Sequence, residues 1–253
     1  RQVMGDHVQT GVVACAHIDD YLENRIKKHE FTRKDKEDDR TRHVRETGAH
    51  TGPVFLAYRD DARILALMEA DVKDVPLYDF TTEDGIRHIV WVSHTPAEYE
   101  KAFEHVDACY IADGHHRAAS AVRAGVERRA AAADPKADAP YCHFLAVFFP
   151  ANQLKIMPYN RVLKDSRNRS DAQLLSELEK VGRLEKTTRK SPEKPGTYAI
   201  YLNKGWYLLT IDPATIDKDD PVACLDVDIL QKRVLSPIFG IDDPRTDKRI
   251  DFV

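Results

Sequence analysis

Residues 113–117, Asp-Gly-His-His-Arg, are the ones in this 253-residue chain whose types and spacing most clearly allow chemistry. An apolar run at 109–112 precedes them and an alanine-rich run at 118–124 follows, which predicts a strand that turns directly into a helix. Such a turn leaves the first backbone N–H groups of the helix unpaired, and these groups bind anions. Gly114 lets a ligand approach the backbone closely, and the guanidinium of Arg117 can hold two phosphate oxygens. The pattern predicts a cradle for a phosphate or another small anion.

The other three residues of this turn add titratable groups to the predicted cradle. His115 and His116 carry adjacent imidazoles, and Asp113 can cap the helix or hold a metal or a hydroxyl group. The alternative is an ordinary Asp-Gly helix start with two surface histidines. Two histidines and an arginine in one helical turn are costly to place without a partner, and this favours a binding site.

A neighbouring imidazole and carboxylate, His29 and Glu30, form a second candidate site. They follow an amphipathic segment and precede a strongly charged helix. A carboxylate near a substrate hydroxyl and a bound phosphate can accept the hydroxyl proton as the phosphoryl group moves, so Glu30 is a candidate general base. The alternative is a solvated surface glutamate among lysines.

Two further groups of charged residues are candidates for binding. Arg161 follows a predicted strand and a proline turn and could add a second positive contact to a phosphate, or it could be a rim arginine or part of a structural ion pair. The acidic run at 242–251 could hold Mg²⁺, but a polar turn with internal ion pairs is the commoner form of such a run. No residue is assigned as a metal ligand.

Several familiar kinds of active site lack their sequence patterns here. The histidines and cysteines have neither Cys-x-x-Cys nor His-Glu-x-x-His spacing, so a zinc site is set aside. The chain has no Gly-x-Ser-x-Gly elbow of a serine hydrolase. It also has no Gly-x-x-x-x-Gly-Lys-Ser/Thr loop, so any phosphate must be held by the helix start rather than by a P-loop.

Composition and charge exclude some classes of binding partner for this protein. The formal net charge is −4, so a general affinity for nucleic acid is not expected. The longest apolar run, 144–149, is far shorter than the roughly 20 residues that span a bilayer, so no membrane partner is expected. Four widely separated cysteines, three in apolar surroundings, suggest buried free thiols and a cytoplasmic location. The chain starts without methionine and stops within a predicted strand, which suggests a fragment of a longer protein.

The strands and helices that position these residues are predicted from hydrophobic periodicity and from the Gly and Pro residues that separate the periodic segments. Strands are predicted at 12–16, 54–58, 109–112, 142–149 and 154–157; helices at 33–46, 62–70, from Pro96, from Gly114, at 171–181 and at 225–235 ended by Pro237; and hairpins at 77–92 and 198–211. Thr95 and Glu98 have capping-box spacing. The irregular order of strands and helices favours an α+β architecture. A link rich in Ala, Asp and Pro at 131–140 predicts a boundary between domains at 1–130 and 141–253.

Two sets of residues resemble known families. Residues 110–117, Tyr-Ile-Ala-Asp-Gly-His-His-Arg, resemble the phosphate-binding signature of the ParB and sulfiredoxin superfamily, whose kinase branch phosphorylates free L-serine and pairs that signature with an upstream His-Glu. His29 and Glu30 match that upstream pair. More closely, the runs at 10–13, 28–34, 52–55, 158–161 and 240–249 resemble the bacterial domain-of-unknown-function family 1015, over nearly the whole chain. Members of that family are longer at both ends.

The resemblance implies a fold and a reaction. The fold would be a ParB/sulfiredoxin-like core with a mixed sheet, followed by a C-terminal α+β portion. The reaction would be transfer of phosphate from ATP, ADP or pyrophosphate, with Mg²⁺, to the hydroxyl of free L-serine or a similar hydroxylated metabolite. Its residues would be Glu30 as the base, Asp113 and His116 in catalysis, His29 and Asp113 on the substrate, and Gly114, His115, His116 and Arg117 on the phosphate. A homodimer is a possible assembly, and the sequence does not determine the oligomeric state.

Two other functions remain open. The same superfamily includes nucleotide-binding regulators of ParB type, which would use the cradle without catalysis; the absence of a basic helix-turn-helix counts against DNA as the ligand. A redox or hydrolytic enzyme could use the cradle too, although no cysteine lies between Gly114 and Arg117. The segment between Glu30 and Asp113 is longer than in the compact superfamily core, and its hairpin could cover the substrate pocket.

Overall fold

A five-stranded mixed sheet organises the first of two units in the computed structural model, which describes residues 1–30 and 32–253. The units are Arg1–Lys155 and Ile156–Val253. The first contains the strands β1 (Gln2–Met4), β2 (His7–Gln9), β3 (Val12–His17), β4 (Ile26–Lys27), β5 (Val54–Tyr58), β6 (Tyr78–Thr81), β7 (Arg87–Val90), β8 (Cys109–Asp113) and β9 (His143–Pro150), and the helices α1 (Ile18–Leu22), α2 (Lys34–Thr47), α3 (Ala62–Asp71), α4 (Pro96–Phe103) and α5 (His115–Ala131). Phe31, part of the 28–34 run, lies outside the described residues.

The strand order of the main sheet is β3-β9-β5-β8-β4. Strands β3 and β9 are antiparallel, β9 and β5 are parallel, β5 and β8 are antiparallel, and β8 and β4 are parallel. This confirms the predicted α+β class and the mixed character of the sheet. Strands β4 and β8 run side by side in the same direction, so the chain segments that follow them leave the sheet at one edge.

Helix α5 packs on this sheet through small side chains. Ala118 is completely buried and Ala121 and Val122 nearly so, in one cluster with Leu56 and Ile111 of the central strands. Alanines let a helix backbone approach a sheet closely while still removing apolar surface from water. The helix that starts at the predicted cradle is therefore fixed along its length by the main hydrophobic core.

Helix α2 is almost entirely polar, and ion pairs hold it against α5. The Arg123 guanidinium lies 2.5 Å from a carboxylate oxygen of Asp38 and 3.6 Å from one of Glu37, and Arg45 pairs with Glu127. Thr41, at 1% exposure, is the residue of α2 that the core encloses. The predicted strongly charged helix is confirmed, and only a narrow side of it is buried.

A smaller four-stranded sheet, in the order β2-β1-β7-β6, adds the predicted hairpin to the first unit. Strands β6 and β7 are antiparallel, with Tyr78 opposite Val90. Helix α4 begins at Pro96 as predicted, but Thr95 makes no side-chain cap hydrogen bond, because its backbone lies at φ −126° and ψ 50°. The predicted capping box is therefore wrong.

The second unit is a three-stranded antiparallel sheet packed against helices. Its elements are β10 (Arg161–Leu163), α6 (Asp171–Val181), β11 (Arg183–Thr187), β12 (Thr197–Leu202), β13 (Gly205–Thr210), α7 (Asp226–Leu230), a π-helical turn (Gln231–Leu235), α8 (Ser236–Phe239) and β14 (Ile250–Phe252). The sheet order is β11-β13-β12, and β10 pairs separately with β14. Its core includes Leu174, Leu178 and Leu209. The predicted helix at 171–181 and hairpin at 198–211 are confirmed.

Three predictions about the chain's organisation differ from the structure. The division lies between Lys155 and Ile156 instead of at 131–140, because β9 pairs with both β3 and β5 in the main sheet. The predicted strand at 154–157 is irregular; Ile156 is 97% exposed, and the described residues provide no strand for this run to pair with. Pro237 does not end the C-terminal helix, which continues through Phe239 and ends at Gly240 in the left-handed region.

The cysteines are also less buried than predicted. All four are free thiols, but only Cys142 is buried, whereas Cys15 is exposed and Cys109 and Cys224 are intermediate. Cys15 lies on β3 on the face opposite to that of the buried Ala16, and this leaves its side chain in solvent. No helix among the described residues is long and apolar enough to cross a membrane.

Candidate functional site

The predicted strand-turn-helix is present, with Gly114 at the junction. Strand β8 ends at Asp113, Gly114 has φ 94° and ψ 31°, and α5 begins at His115. The helix has no side-chain N-cap, and its first hydrogen bond runs from the Ala118 N–H to the Gly114 carbonyl, at 2.9 Å. The N–H groups of residues 115–117 consequently point out of the helix start without intrahelical acceptors.

Arg117 folds back over Gly114 and pairs with Asp113. Its Nη2 lies 2.6 Å from Oδ2 of Asp113. A Cβ atom on Gly114 would lie only 2.9 Å from the same Nη2. Glycine is favoured here by its positive φ, and a side chain at this position would also displace the Arg117 guanidinium from its present place. Asp113, considered in the sequence as a helix cap, pairs with Arg117 instead.

Glu30 lies at the same edge of the sheet because β4 runs parallel to β8. One carboxylate oxygen of Glu30 is 3.5 Å from Nδ1 of His115. The ring of His29 packs edge-on against the ring of His115, with centroids 4.4 Å apart. The Glu30 side chain is 57% exposed, so it can meet a ligand from solvent. The two sites found separately in the sequence are one site in the structure.

His115 is the buried member of this group. Its ring is 5% exposed, and Nε2 has no hydrogen-bond partner among the residues that the structure describes. Burial lowers the pKa of His115, and the nearby His29 lowers it further, while Glu30 acts in the opposite direction. His115 is therefore a neutral imidazole near pH 7.

His116 links the start of α5 to the start of α2. Its Nε2 accepts a hydrogen bond from the backbone N–H of Arg33, at 3.0 Å. A nitrogen that accepts this bond carries no proton, so the proton of the neutral ring resides on Nδ1. Nδ1 is therefore the only ring nitrogen of His116 with which it could hold phosphate, as the sequence predicted.

The site is a cleft of about 260 Å³ to which one unexpected residue contributes. Its lining consists of Glu30, Arg40, Ala112, Asp113, Gly114, His115, His116 and Arg117. Arg40, on α2, makes no ion pair or side-chain hydrogen bond with any described residue, whereas Arg117 is already paired with Asp113. Arg40 is the cation of the cleft that remains available to an anionic ligand. No residue of the β6–β7 hairpin lines this cleft, as far as the chain is described.

Sequence reasoning passed over Arg40 because it is one of many charges in a polar helix. A signal was present, however. Arg40 lies three residues after Glu37, whose carbonyl accepts a hydrogen bond from Ser120 of α5, and directly before the buried Thr41. A cation at the margin of the packed face of a helix is placed to reach the neighbouring helix start.

Arg161 belongs to the second unit, and its described contacts are internal to that unit. Its Nη1 donates to the Tyr159 carbonyl at 2.6 Å, and its guanidinium lies 5.5 Å and 5.6 Å from the ring centroids of Tyr159 and Phe252. Burial lowers the pKa of Arg161. These contacts are those of a packed side chain, and the contact with phosphate stays a prediction.

The acidic run near the end of the chain is a turn with internal ion pairs. Asp243 pairs with Arg245 at 2.9 Å and Asp247 with Arg249 at 2.5 Å, while Asp242 accepts a hydrogen bond from Ser236. These arginines hold the pKa values of Asp243 and Asp247 below the usual range. Within the described residues, no three or more His, Cys, Asp or Glu side chains are grouped to hold a metal.

Comparison with known protein families gives a match over most of the chain. A family described as "Protein of unknown function (DUF1015)" matches residues 1–228, which include the whole cleft. No curated protein and no solved structure matches the chain. The family predicted from the short sequence runs is therefore confirmed, and the comparison assigns no activity to it.

Proposed function

The chain belongs to this DUF1015 family of proteins of unknown function, and from the chemistry of the cleft we propose that it is a small-molecule kinase. It transfers phosphate from ATP, ADP or pyrophosphate to the hydroxyl of free L-serine or a similar metabolite. The observation that carries the proposal is the position of the Glu30 carboxylate, 3.5 Å from His115 in the turn that forms the anion cradle. A base and a phosphate site in contact are what in-line transfer to a hydroxyl requires.

The proposed phosphate site consists of hydrogen-bond donors and cations at the start of α5 and on α2. The N–H groups of residues 115–117 have no acceptor within the helix, and the positive end of the helix dipole favours an anion there. Arg117 lies directly over Gly114, and Arg40 faces the same cleft without a carboxylate partner among the described residues. These groups would neutralise the charge of the transferred phosphoryl group.

The proposed general base is Glu30, which lies close to two histidines. Glu30 is half-exposed, which allows it to reach a hydroxyl on a bound metabolite. His115 is neutral, so it leaves the carboxylate free to accept the proton rather than forming a full ion pair with it. His29 packs against His115 and does not line the cleft, so its predicted contact with the acceptor stays a prediction. The cleft, at about 260 Å³, lies near the lower end of the ~300–1,000 Å³ range of small-molecule sites, which favours a small acceptor.

A magnesium ion fits this cleft as a companion of the phosphate donor. Arg117 occupies Oδ2 of Asp113, and Oδ1 accepts no hydrogen bond in the described part of the chain, so this carboxylate can contribute one ligand. Mg²⁺ in kinases is held by one or two carboxylates together with phosphate oxygens and waters, and it neutralises charge on the phosphates. Asp113 would therefore hold Mg²⁺ while Arg117 holds the phosphoryl group.

The finer fold assignment, a ParB/sulfiredoxin-like core, is part of the proposal. Its support is the parallel pair β4 and β8. His29 and Glu30 follow β4, and the turn at 113–117 begins at the end of β8, so both motifs of the resemblance lie at the same end of neighbouring strands. The cytoplasmic location is proposed with it, since four free thiols suit a reducing compartment.

A donor screen tests the proposed reaction. The protein is incubated with L-serine, Mg²⁺ and in turn ATP, ADP or pyrophosphate, and O-phosphoserine is sought by ³¹P NMR. Product with at least one donor is expected. No product with any donor, combined with tight binding of a nucleotide, would overturn the kinase and leave the regulator of ParB type. A panel of other small alcohols in place of serine tests the acceptor separately.

A further inference from the structure

A second and larger cavity, of about 560 Å³ and widely open to solvent, is lined entirely by residues of the second unit. Its walls come from the turn between β10 and α6, from the C-terminal half of α6, and from the π-helical turn with the start of α8. π-helical turns are rare and are found frequently at functional sites. The cavity shares no residue with the cleft around Glu30.

Three cations of this cavity have no carboxylate partner in the described chain. They are Arg167 on the turn, Lys180 on α6 and Arg233 on the π-helical turn. Arg233 donates to the side-chain and backbone oxygens of Thr215 at 2.6 Å and 2.5 Å, which holds its guanidinium in place without neutralising it. A cavity lined by three uncompensated cations concentrates positive potential.

The one carboxylate that lines the cavity, Glu177, is already neutralised. It pairs with Arg169, whose guanidinium also donates to the carbonyl of Ile238 and, at 3.2 Å, to that of Ser166. The Arg169 side chain is 18% exposed, so this pair is part of the wall. With this pair internally balanced, the three remaining cations determine the charge of the cavity, in a chain whose net charge is −4.

Arg167 is held in a backbone conformation that an arginine rarely adopts. Arg167 has φ 55° and Asn168 has φ 57°, and the Arg169 N–H donates to the Ser166 carbonyl, which together form a turn that favours asparagine and glycine. A Cβ atom on Gly240 would lie 2.9 Å from Nη1 of Arg167, so the glycine leaves room for this guanidinium. A large cation at a strained position, with room made for it, points to a function for its side chain.

We propose that this cavity binds a multiply charged, phosphate-bearing small molecule. The three cations approach from three separate elements, which suits the oxygens of a tetrahedral phosphate better than the single plane of one carboxylate. Val181, Pro237 and Ile238 form an apolar wall beside them, which can contact the organic part of the ligand. The site would act as a second ligand site, independent of the proposed kinase chemistry.

Pyrophosphate binding by calorimetry tests the site in the full chain. The background variant R40A/R117A removes two cations of the first cleft, so the binding that remains reports on the second unit. In that background, Lys180→Gln is expected to weaken pyrophosphate about tenfold, the value of one charged hydrogen bond. The matched control Lys190→Gln, an exposed lysine of the same unit outside the cavity, is expected to leave the affinity unchanged. Equal weakening by both variants, or no remaining binding in the background, would overturn the proposal.

Arg167→Asn separates binding from folding. Asparagine tolerates the left-handed backbone, so this variant is expected to melt at an unchanged or higher temperature and still to lose affinity about tenfold. Affinity equal to that of the parent would contradict the proposal. Citrate at matched ionic strength distinguishes the ligand class: weaker binding than pyrophosphate is expected, and equal or tighter binding would overturn the assignment to phosphate.

Discussion

His115 is the residue of the cleft whose state depends most on its surroundings. It is buried, touches Glu30 through Nδ1, and has no described partner for Nε2. An imidazolium in this position would lose hydration without gaining a full ion pair, since Glu30 is mostly in solvent. A neutral His115 keeps Glu30 free to act as the base.

We expect His115 to titrate below the ordinary histidine value of 6.5, because burial and His29 lower its pKa. The unfolded chain then binds the proton more readily than the folded one. The contribution of His115 to stability is therefore complete above pH 6.5 and declines as the pH falls toward its folded pKa. An NMR titration of the His115 ring, assigned with His115→Gln, measures this; a midpoint at or above 6.5 would contradict it.

Arg40 should affect ligand binding more than stability. Arg40→Gln is expected to weaken the phosphate donor about tenfold, because one charged contact to phosphate is lost. The control is Arg42→Gln, which changes a neighbouring arginine of α2 that pairs with Asp39 outside the cleft. Calorimetry gives the affinities and thermal melting the stabilities. If both variants bind the donor like the parent chain, Arg40 has no part in the site.

At the scale of elements, the junction between β8 and α5 carries the site. The junction was predictable, because an apolar run, a glycine and an alanine-rich run are local signals. The approach of α2 was not, since its attachment depends on long-range pairs such as Arg123 with Asp38 and the bond from the Arg33 N–H to His116. That Arg40 lines the cleft is therefore evident only from the structure.

Gly114→Ala tests the junction directly. The substitution is expected to destabilise the chain by about 1–2 kcal/mol, since it places alanine at a positive φ, and to displace the flexible Arg117 guanidinium, which would lie 2.9 Å from the new Cβ atom. It should also weaken anion binding, because Arg117 must move. Gly48→Ala is the control: Gly48 has φ 65° but open space around its Cβ position, so a loss of about 1 kcal/mol with unchanged anion binding is expected. Chemical denaturation and phosphate titration of both variants decide this; unchanged anion binding by the Gly114 variant would contradict the account.

Other elements show where local signals are insufficient. The run at 154–157 is apolar enough for a strand, but a strand also needs a partner, and none is available to it in the described structure. Thr95 has the right spacing for a capping box, but its backbone angles prevent the bond. Pro237 was expected to end a helix, yet the π-helical turn before it accommodates a residue without an N–H.

At the scale of the whole molecule, each unit has its own hydrophobic core. The main cluster contains Leu56, Ile111 and Phe144 of the first unit, and a separate one contains Leu178 and Leu209 of the second. The boundary predicted at 131–140 differs from the division after Lys155, because a flexible composition reveals a loop but not the strand pairing beyond it. The family, in contrast, was correctly predicted from short runs spread along the chain, whereas the homodimer stays a prediction.

The substitution Leu209→Ala tests whether the two hydrophobic cores are stabilised independently. Leu209 is completely buried, so the substitution is expected to destabilise the second unit by about 2–5 kcal/mol. Amide hydrogen exchange should show the loss of protection in β11 to β13, with the amides of β5 and β8 close to their parent values. Loss of protection of the same size in both sheets would show that the units unfold as one.

The central claim is that Glu30 is the base of a phosphoryl transfer. The most direct test is the rate of O-phosphoserine formation, measured by ³¹P NMR, for the parent chain, Glu30→Gln and the control Glu23→Gln, an exposed carboxylate paired with Arg25 outside the cleft. Glu30→Gln is expected to lose about 10²- to 10⁴-fold in rate while binding the donor normally, and Glu23→Gln is expected to retain the parent rate. A rate for Glu30→Gln within a few-fold of the parent would contradict it.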